Sequence, residues 1–273
     1  MLRIATIAVR FARPHCGRYT RSMIRVFRPI PAAQLKLLVF DLDGTLVDSA
    51  QDLCNSVNAA LIESGLKPLA DPVIAGFVGN GAPMLVRRAL AAASGATPHP
   101  AEPGPVQPAP VEKDLFDSAY AFFLKHYREH KLDFTYAYDG VLDALRALQQ
   151  LHDAPGATAR TMAVLTNKPV RPAQGICEGL GLADYFLHIY GGDSFPAKKP
   201  DPMGLQSLME ETGARPEETA MIGDSKVDVA TARNAGVWSL GCSFGFGVPT
   251  LDENRPDVLV DRASEWPAVL APA

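Results

Sequence analysis

The chain has 273 residues, 47% hydrophobic and 21% charged, which suits a globular protein with a sizeable buried core. A net charge of -4 disfavours nucleic acid or an anionic membrane as the main partner, and no run is long and apolar enough to cross a bilayer. The four cysteines (Cys16, Cys54, Cys177 and Cys242) form no CxxC and no cysteine-histidine cluster. They fit isolated thiols in a reducing compartment, the cytoplasm, better than a disulfide frame or a zinc site.

Residues 1–34 carry Arg3, Arg10, Arg13, Arg18, Arg21, Arg25 and Arg28 and no acidic residue. This basic leader resembles a transit peptide in composition. A disordered arm, or translation beginning at Met23, is the preferred reading, and residues 1–34 are expected to lie outside the fold. Without those arginines the remaining body has a net charge of about -11.

The first clear element is "LKLLVFDLDGTLVDSA", Leu35 to Ala50. Its apolar run is too short for a helix and ends on Asp41 and Asp43. "TMAVLT" before Asn167 and "TAMIGD" ending at Asp224 share that design, as expected of central parallel strands. Helical patterns follow in "YDGVLDALRALQQL", "RPAQGICEGLGL", "PMGLQSLMEETG" and "DVATARNAG". The alternation predicts an α/β fold, a Rossmann-like open parallel sheet core spanning 35–50 and 136–273. Residues 51–135 read as helices only, a cap domain inserted after the first strand and lying over the carboxyl edge. Within it the proline-rich stretch 95–110 cannot continue a helix and reads as a surface loop.

In open α/β sheets ligands bind beyond the carboxyl ends of the strands, and all three polar clusters fall there. Asp41 can attack phosphorus as an already ionised nucleophile. Asp43, two residues on in an extended segment, points to the same side and suits general acid–base work. Gly44 and Thr45 permit a turn whose N–H groups can face phosphate oxygens. Asp224 and Asp228 complete with Asp41 an oxygen-rich site for Mg2+. Lys199, ahead of Pro200 and Pro202, offers a point charge, and Thr166 and Asn167 offer donors to the phosphate.

"DLDGTLVDS", "LTNKP", "KKPDP" and "GDSKVDVATARNAG" resemble, in order, the four motifs of the haloacid dehalogenase-like hydrolase superfamily, over about residues 35–262. The resemblance implies Asp41 as nucleophile, Asp43 as acid/base and Lys199 as the motif lysine. It places Thr166, with Asn167 beside it, on the phosphate. Asp224 would hold magnesium together with Asp41 and the backbone carbonyl of Asp43, with Asp228 either a further ligand or an acid just behind the ligands. "FVGNGAPMLVRRAL", residues 77–90, is similar to the cap segment of phosphoglycolate phosphatases, and "FGFG", residues 244–247, to a loop of the same group. On that likeness Gly79, Asn80, Gly81 and Arg87 are candidate contacts to a small carboxylate.

The expected function is a magnesium-dependent phosphomonoester hydrolase, phosphoglycolate phosphatase first. A sugar phosphatase, a pyrophosphatase and β-phosphoglucomutase share the same core motifs. A catalytically silent phosphoryl-binding regulator is the rival from another class. The expected partner is a small phosphorylated metabolite, with the protein a monomer or homodimer. Lys198 reads as a surface lysine, Asp48 as a helix cap, and the aromatic run Tyr120 to Tyr127 as cap packing. None of the six histidines has ligand spacing.

Overall fold

The computed structural model describes residues 24–95, 111–152, 160–251 and 254–271. The chain runs β1 (Arg25–Val26), β2 (Leu37–Phe40), β3 (Val47–Asp48), α1 (Ala50–Glu63), α2 (Asp71–Ala75), α3 (Ala82–Ala93), α4 (Lys113–His130) and β4 (Tyr136–Ala137). It continues through α5 (Val141–His152), β5 (Thr161–Leu165), α6 (Val170–Gly179), β6 (Ile189–Tyr190), α7 (Met203–Thr212), β7 (Thr219–Gly223), α8 (Lys226–Ala235), β8 (Trp238–Cys242), β9 (Val258–Val260) and α9 (Trp266–Leu270).

Seven strands form one sheet in the order β1-β9-β8-β7-β2-β5-β6, parallel except for β1, which gives the expected α/β sheet with flanking helices. β2 is central and buried on both faces. Leu38 and Phe40 enter the apolar cluster that contains Val141, Leu145, Ile176 and Trp266. Leu37 and Val39 enter the opposite one with Leu205, Leu208 and Met221. This two-sided burial explains a continuous apolar run in place of alternation. The in-line register of Phe40 with Val164 on β5 and Ile222 on β7 brings all three strand exits to one edge.

Helices α1 to α4 lie between β3 and β4, over the range expected of the cap, and their apolar faces join the larger core cluster through Leu53, Leu61, Leu85 and Phe123. The proline-rich stretch lies outside the described residues from 96 to 110. The two passages between cap and core run side by side, with β3 pairing antiparallel to β4. Asp52, 1% exposed, accepts hydrogen bonds from the backbone of Phe134 and Thr135 and from the Thr135 hydroxyl. One buried carboxylate therefore clamps the entrance of the cap to its exit.

The boundary expected at residue 34 does not hold. β1 pairs antiparallel with the edge strand β9, Arg25 reaches Asp261 and Arg28 reaches Asp257, both at 2.6 Å. Arg160 donates to the carbonyls of Ala32 and Leu270. The physical reason is complementarity: basic residues meet an acidic body at a strand edge that still has free backbone groups. Residues 1–23, including Met23, lie outside the described residues.

Replacing Asp52 by Ala strips partners from several buried donors at once, each worth about 1–3 kcal/mol when left unsatisfied. Urea denaturation of D52A is expected to show a loss of at least about 2 kcal/mol; a midpoint unchanged from wild type would contradict the clamp.

Candidate active site

The site begins where β2 ends. The Asp41 amide still donates to the Ile222 carbonyl at 2.8 Å, so the residue is fixed by the sheet itself. Its carboxylate accepts the Leu42 amide at 2.7 Å and sits 2.9 Å from the Lys199 ammonium. Burial pushes the carboxyl up to about 6, against the pull of Lys199. Beyond Asp41 the chain turns at Gly44, whose φ of 86° is a left-handed value that favours glycine. A Cβ there would also overlap the Asp224 carboxylate.

Asp224 follows β7 and is 3% exposed. The Gly247 amide donates to it at 2.8 Å. Burial, with Asp228 and Asp41 adding to it, raises this carboxyl well above its ordinary value. Asp228, in the first turn of α8, accepts the amide of Ser225 at 3.1 Å and its hydroxyl at 2.7 Å, a capping box at the helix start. Lys199, itself buried, bridges Asp228 at 2.7 Å and Asp41. Burial opposes its charge, yet the two carboxylates hold its pKa above the ordinary lysine value. Oxygens of Asp41, Asp224 and Asp228 lie within 4.8 Å of one another. Three carboxylates, those of Asp224 and Asp228 buried and that of Asp41 half-buried, against one ammonium form the donor set a hard divalent cation takes.

Asp43 contributes no carboxylate to that group. It accepts the Ser49 hydroxyl at 2.5 Å and both its oxygens face the Lys168 ammonium, at 2.9 and 3.0 Å. Asp41 and Asp43 nevertheless line one cavity of about 60 Å³. Thr166, Asn167, Lys168, Asp224, Phe246 and Gly247 line it from the core. From the cap come Leu53, Val78, Gly79, Gly81, Leu85, Phe123, Leu124 and Tyr127. The floor is polar and the roof mostly apolar.

Several expected phosphate donors are engaged elsewhere. The Gly44 amide donates to Val47 and the Thr45 amide to Leu42, closing the turn that the extended β2 must make. Both Asn167 amide bonds go to backbone carbonyls, those of Gly79 and Lys199, at 3.0 Å each. The buried Thr45 hydroxyl and Asn167 Oδ1 have no partner among the described residues. On the cap side Gly79 and Gly81 reach the cavity, whereas Asn80 offers its carbonyl to Lys198 at 2.6 Å. Arg87 is exposed, stacks 4.0 Å over the Phe116 ring and does not line the cavity. Lys198, read as a surface lysine, ties core to cap. Lys168 and Ser49 lie within quoted motifs but were given no role there, and Tyr127 was read only as part of an aromatic run.

Comparison with known proteins gives this geometry its context. Residues 38–242 match the family described as haloacid dehalogenase-like hydrolase. The chain belongs to that family. It is 36% identical over 234 residues to a phosphoglycolate phosphatase of Vibrio vulnificus, covering 85% of this chain and 94% of the relative. It is 40% identical over 212 residues to one of Chromobacterium violaceum, covering 78% and 86%. A crystal structure of a predicted phosphoglycolate phosphatase from Haemophilus somnus superposes with a TM-score of 0.75 at 29% identity, covering 85% of this chain and 96% of that one. The protein is thus an enzyme, a phosphatase of the haloacid dehalogenase-like hydrolases.

Gly44→Ala is expected to cost about 1–2 kcal/mol from backbone strain alone, with further loss as the Asp224 carboxylate is displaced. Denaturation of G44A checks this, and wild-type stability would show that the turn is not confined as described.

Proposed function

We propose that the protein is a magnesium-dependent phosphoglycolate phosphatase that works through an aspartyl-phosphate intermediate and releases glycolate and phosphate. The observation that carries the reading is the convergence of Asp41, Asp43, Lys199, Asp224 and Asp228 at one strand edge, under a small cavity closed by the cap. The substrate class rests on the relatives' names.

In the first step an Asp41 carboxylate oxygen forms a bond to phosphorus. The bond from phosphorus to the glycolate oxygen breaks, and Asp43 delivers a proton to that oxygen. In the second step Asp43 takes a proton from water, whose oxygen attacks the phosphoryl group. The acyl-phosphate bond breaks, Asp41 returns as carboxylate, and phosphate leaves. Lys199 holds Asp41 in place and offsets charge near the phosphate. Thr166 faces the cavity from the end of β5 and supports phosphate binding.

The carboxylate group formed by Asp41, Asp224 and Asp228 fits a magnesium ion. Those residues would hold it, and when bound it supplies positive charge that screens the phosphate from its nucleophile. Cap closure between the passages near 49–52 and 135–140 would exclude bulk water from the acyl-phosphate. A reducing cytoplasm suits the three described cysteines, which are buried and unpaired. Among the described residues no helix is long and apolar enough to cross a membrane.

Phosphate release from 2-phosphoglycolate is expected to stop in D41N and to fall by about a hundred- to ten-thousand-fold in kcat in D43N. It should vanish with a chelator and return with magnesium. Phosphoglycolate should exceed hexose phosphates in kcat/KM. Turnover retained by D41N would overturn the mechanism, and a preference for hexose phosphates would overturn the substrate.

A further inference from the structure

The cavity contains a cation that the mechanism above does not use. Among the described residues Lys168 is the sole lysine or arginine lining it. Lys199 lies beneath the nucleophile, bridging Asp41 and Asp228. Lys198 is turned to the Asn80 carbonyl, and Arg87 is stacked outside on Phe116. Lys168 is 6% exposed, so its charge resides in the closed site and not at the surface.

Its donors are shared between Asp43 and the Tyr127 side chain. An ammonium has three N–H groups, and the Asp43 carboxylate occupies two at most, at 2.9 and 3.0 Å. On another side lies the Tyr127 ring, with the ammonium 4.6 Å from its centroid. Tyr127 is 3% exposed and is held by stacking on Phe123, with ring centroids 5.6 Å apart and planes 5° from parallel. Its buried hydroxyl oxygen faces the Lys168 ammonium, and its O–H proton has no acceptor among the described residues. A buried donor without an acceptor costs about 1–3 kcal/mol, so one is retained where a ligand completes it. Burial pushes this phenol up to about 12, so at neutral pH it stays a donor.

We infer that Lys168 and Tyr127 form the subsite for the carboxylate of the substrate, on the leaving-group side beside Asp43. The inference deepens the phosphatase reading and rests on it. Apart from the backbone of Gly79 and Gly81, the rest of the cap wall is mainly Leu53, Val78, Leu85, Phe123 and Leu124, whose side chains cannot stabilise an anion. A single ammonium and a single hydroxyl match one carboxylate on a short stem. Lys168 thereby spans acid/base and substrate: one side steadies Asp43, the other selects esters that carry an acid. Because Tyr127 comes from α4 and Lys168 from the core, the subsite is complete only with the cap in place.

The test compares 2-phosphoglycolate with ethyl phosphate, which has a similar stem but no carboxylate, using the full-length enzyme with magnesium. In K168M the ratio of their kcat/KM values is expected to fall about tenfold to a hundredfold, since a charged hydrogen bond is removed from one substrate alone. Y127F, which alters only one oxygen, is expected to lower the same ratio by about threefold to tenfold, chiefly through KM. Equal losses on both esters in K168M, with Y127F unchanged, would overturn the subsite and leave Lys168 as a positioning residue for Asp43; the phosphoglycolate reading would stand. A wild type that prefers another small carboxylated phosphoester, with the ratio still collapsing in both variants, would overturn the named substrate and keep the subsite. A wild type indifferent to the carboxylate would overturn both.

Discussion

The structure is organised around a concentration of buried negative charge that the protein cannot neutralise by itself. Asp41, Asp224 and Asp228 converge within 4.8 Å, and the Lys199 ammonium pairs with Asp41 and Asp228. Bringing carboxylates out of water and near one another is costly, and the raised pKa values of Asp41 and Asp224 express that cost. The surrounding design makes it tolerable. β2, β5 and β7 are rigid parallel strands buried on both faces, so their exits cannot drift apart to relieve repulsion. Glycines at 44, 245 and 247 let the backbone crowd Asp224 where any Cβ would collide with it or its neighbours. The capping box of α8 fixes Asp228 as part of helix initiation. Stability is therefore surrendered locally to hold a geometry complementary to positive charge and to phosphoryl transfer, as preorganised electrostatic sites require.

How far the sequence could be read depends on the kind of signal each part carries. The central strands were legible because two-sided burial forces short, continuous apolar runs, and each run stops on a polar residue at the edge where the site lies. The inserted helices were legible from periodicity and the absence of β-branched runs. β1 was not: two residues gain strand character only from the exposed edge of β9, and their arginines are the same ones that mark the segment as a leader. β6 is likewise a two-residue edge strand, paired through Val164 and Leu165.

The same distinction separates site residues that were foreseen from those that were not. A strand exit announces Asp41 and Asp224 locally. The destination of an amide is a tertiary fact. Asn167 has the right chemistry for a phosphate, yet the carbonyls of Gly79 and Lys199 reach it first. Gly44 and Thr45 fulfil the turn expected of them, and in doing so direct their amides inward. Arg87 lies on the cap helix that carries Leu85 and Val86 inward, but its own position faces solvent, where Phe116 gives its guanidinium a flat apolar surface.

Three consecutive residues after β5 join the chemistry to the cap. Thr166 faces the nucleophile's cavity, Asn167 grips the cap carbonyl of Gly79, and Lys168 contacts both Asp43 and the ring of Tyr127. Lys198, beside the motif lysine, holds Asn80 in the same cap loop. The contacts to Gly79, Asn80 and Tyr127 join core to cap, and each is made by a residue adjacent to one that serves the core. A cap that lifts must therefore release Asn167 and Lys198 and remove Tyr127 from Lys168 in a single movement. Cap position and the surroundings of Asp43 are coupled through covalent adjacency, and no chain of intervening packing is needed to carry the coupling. One short loop thus faces both the cap and Asp43.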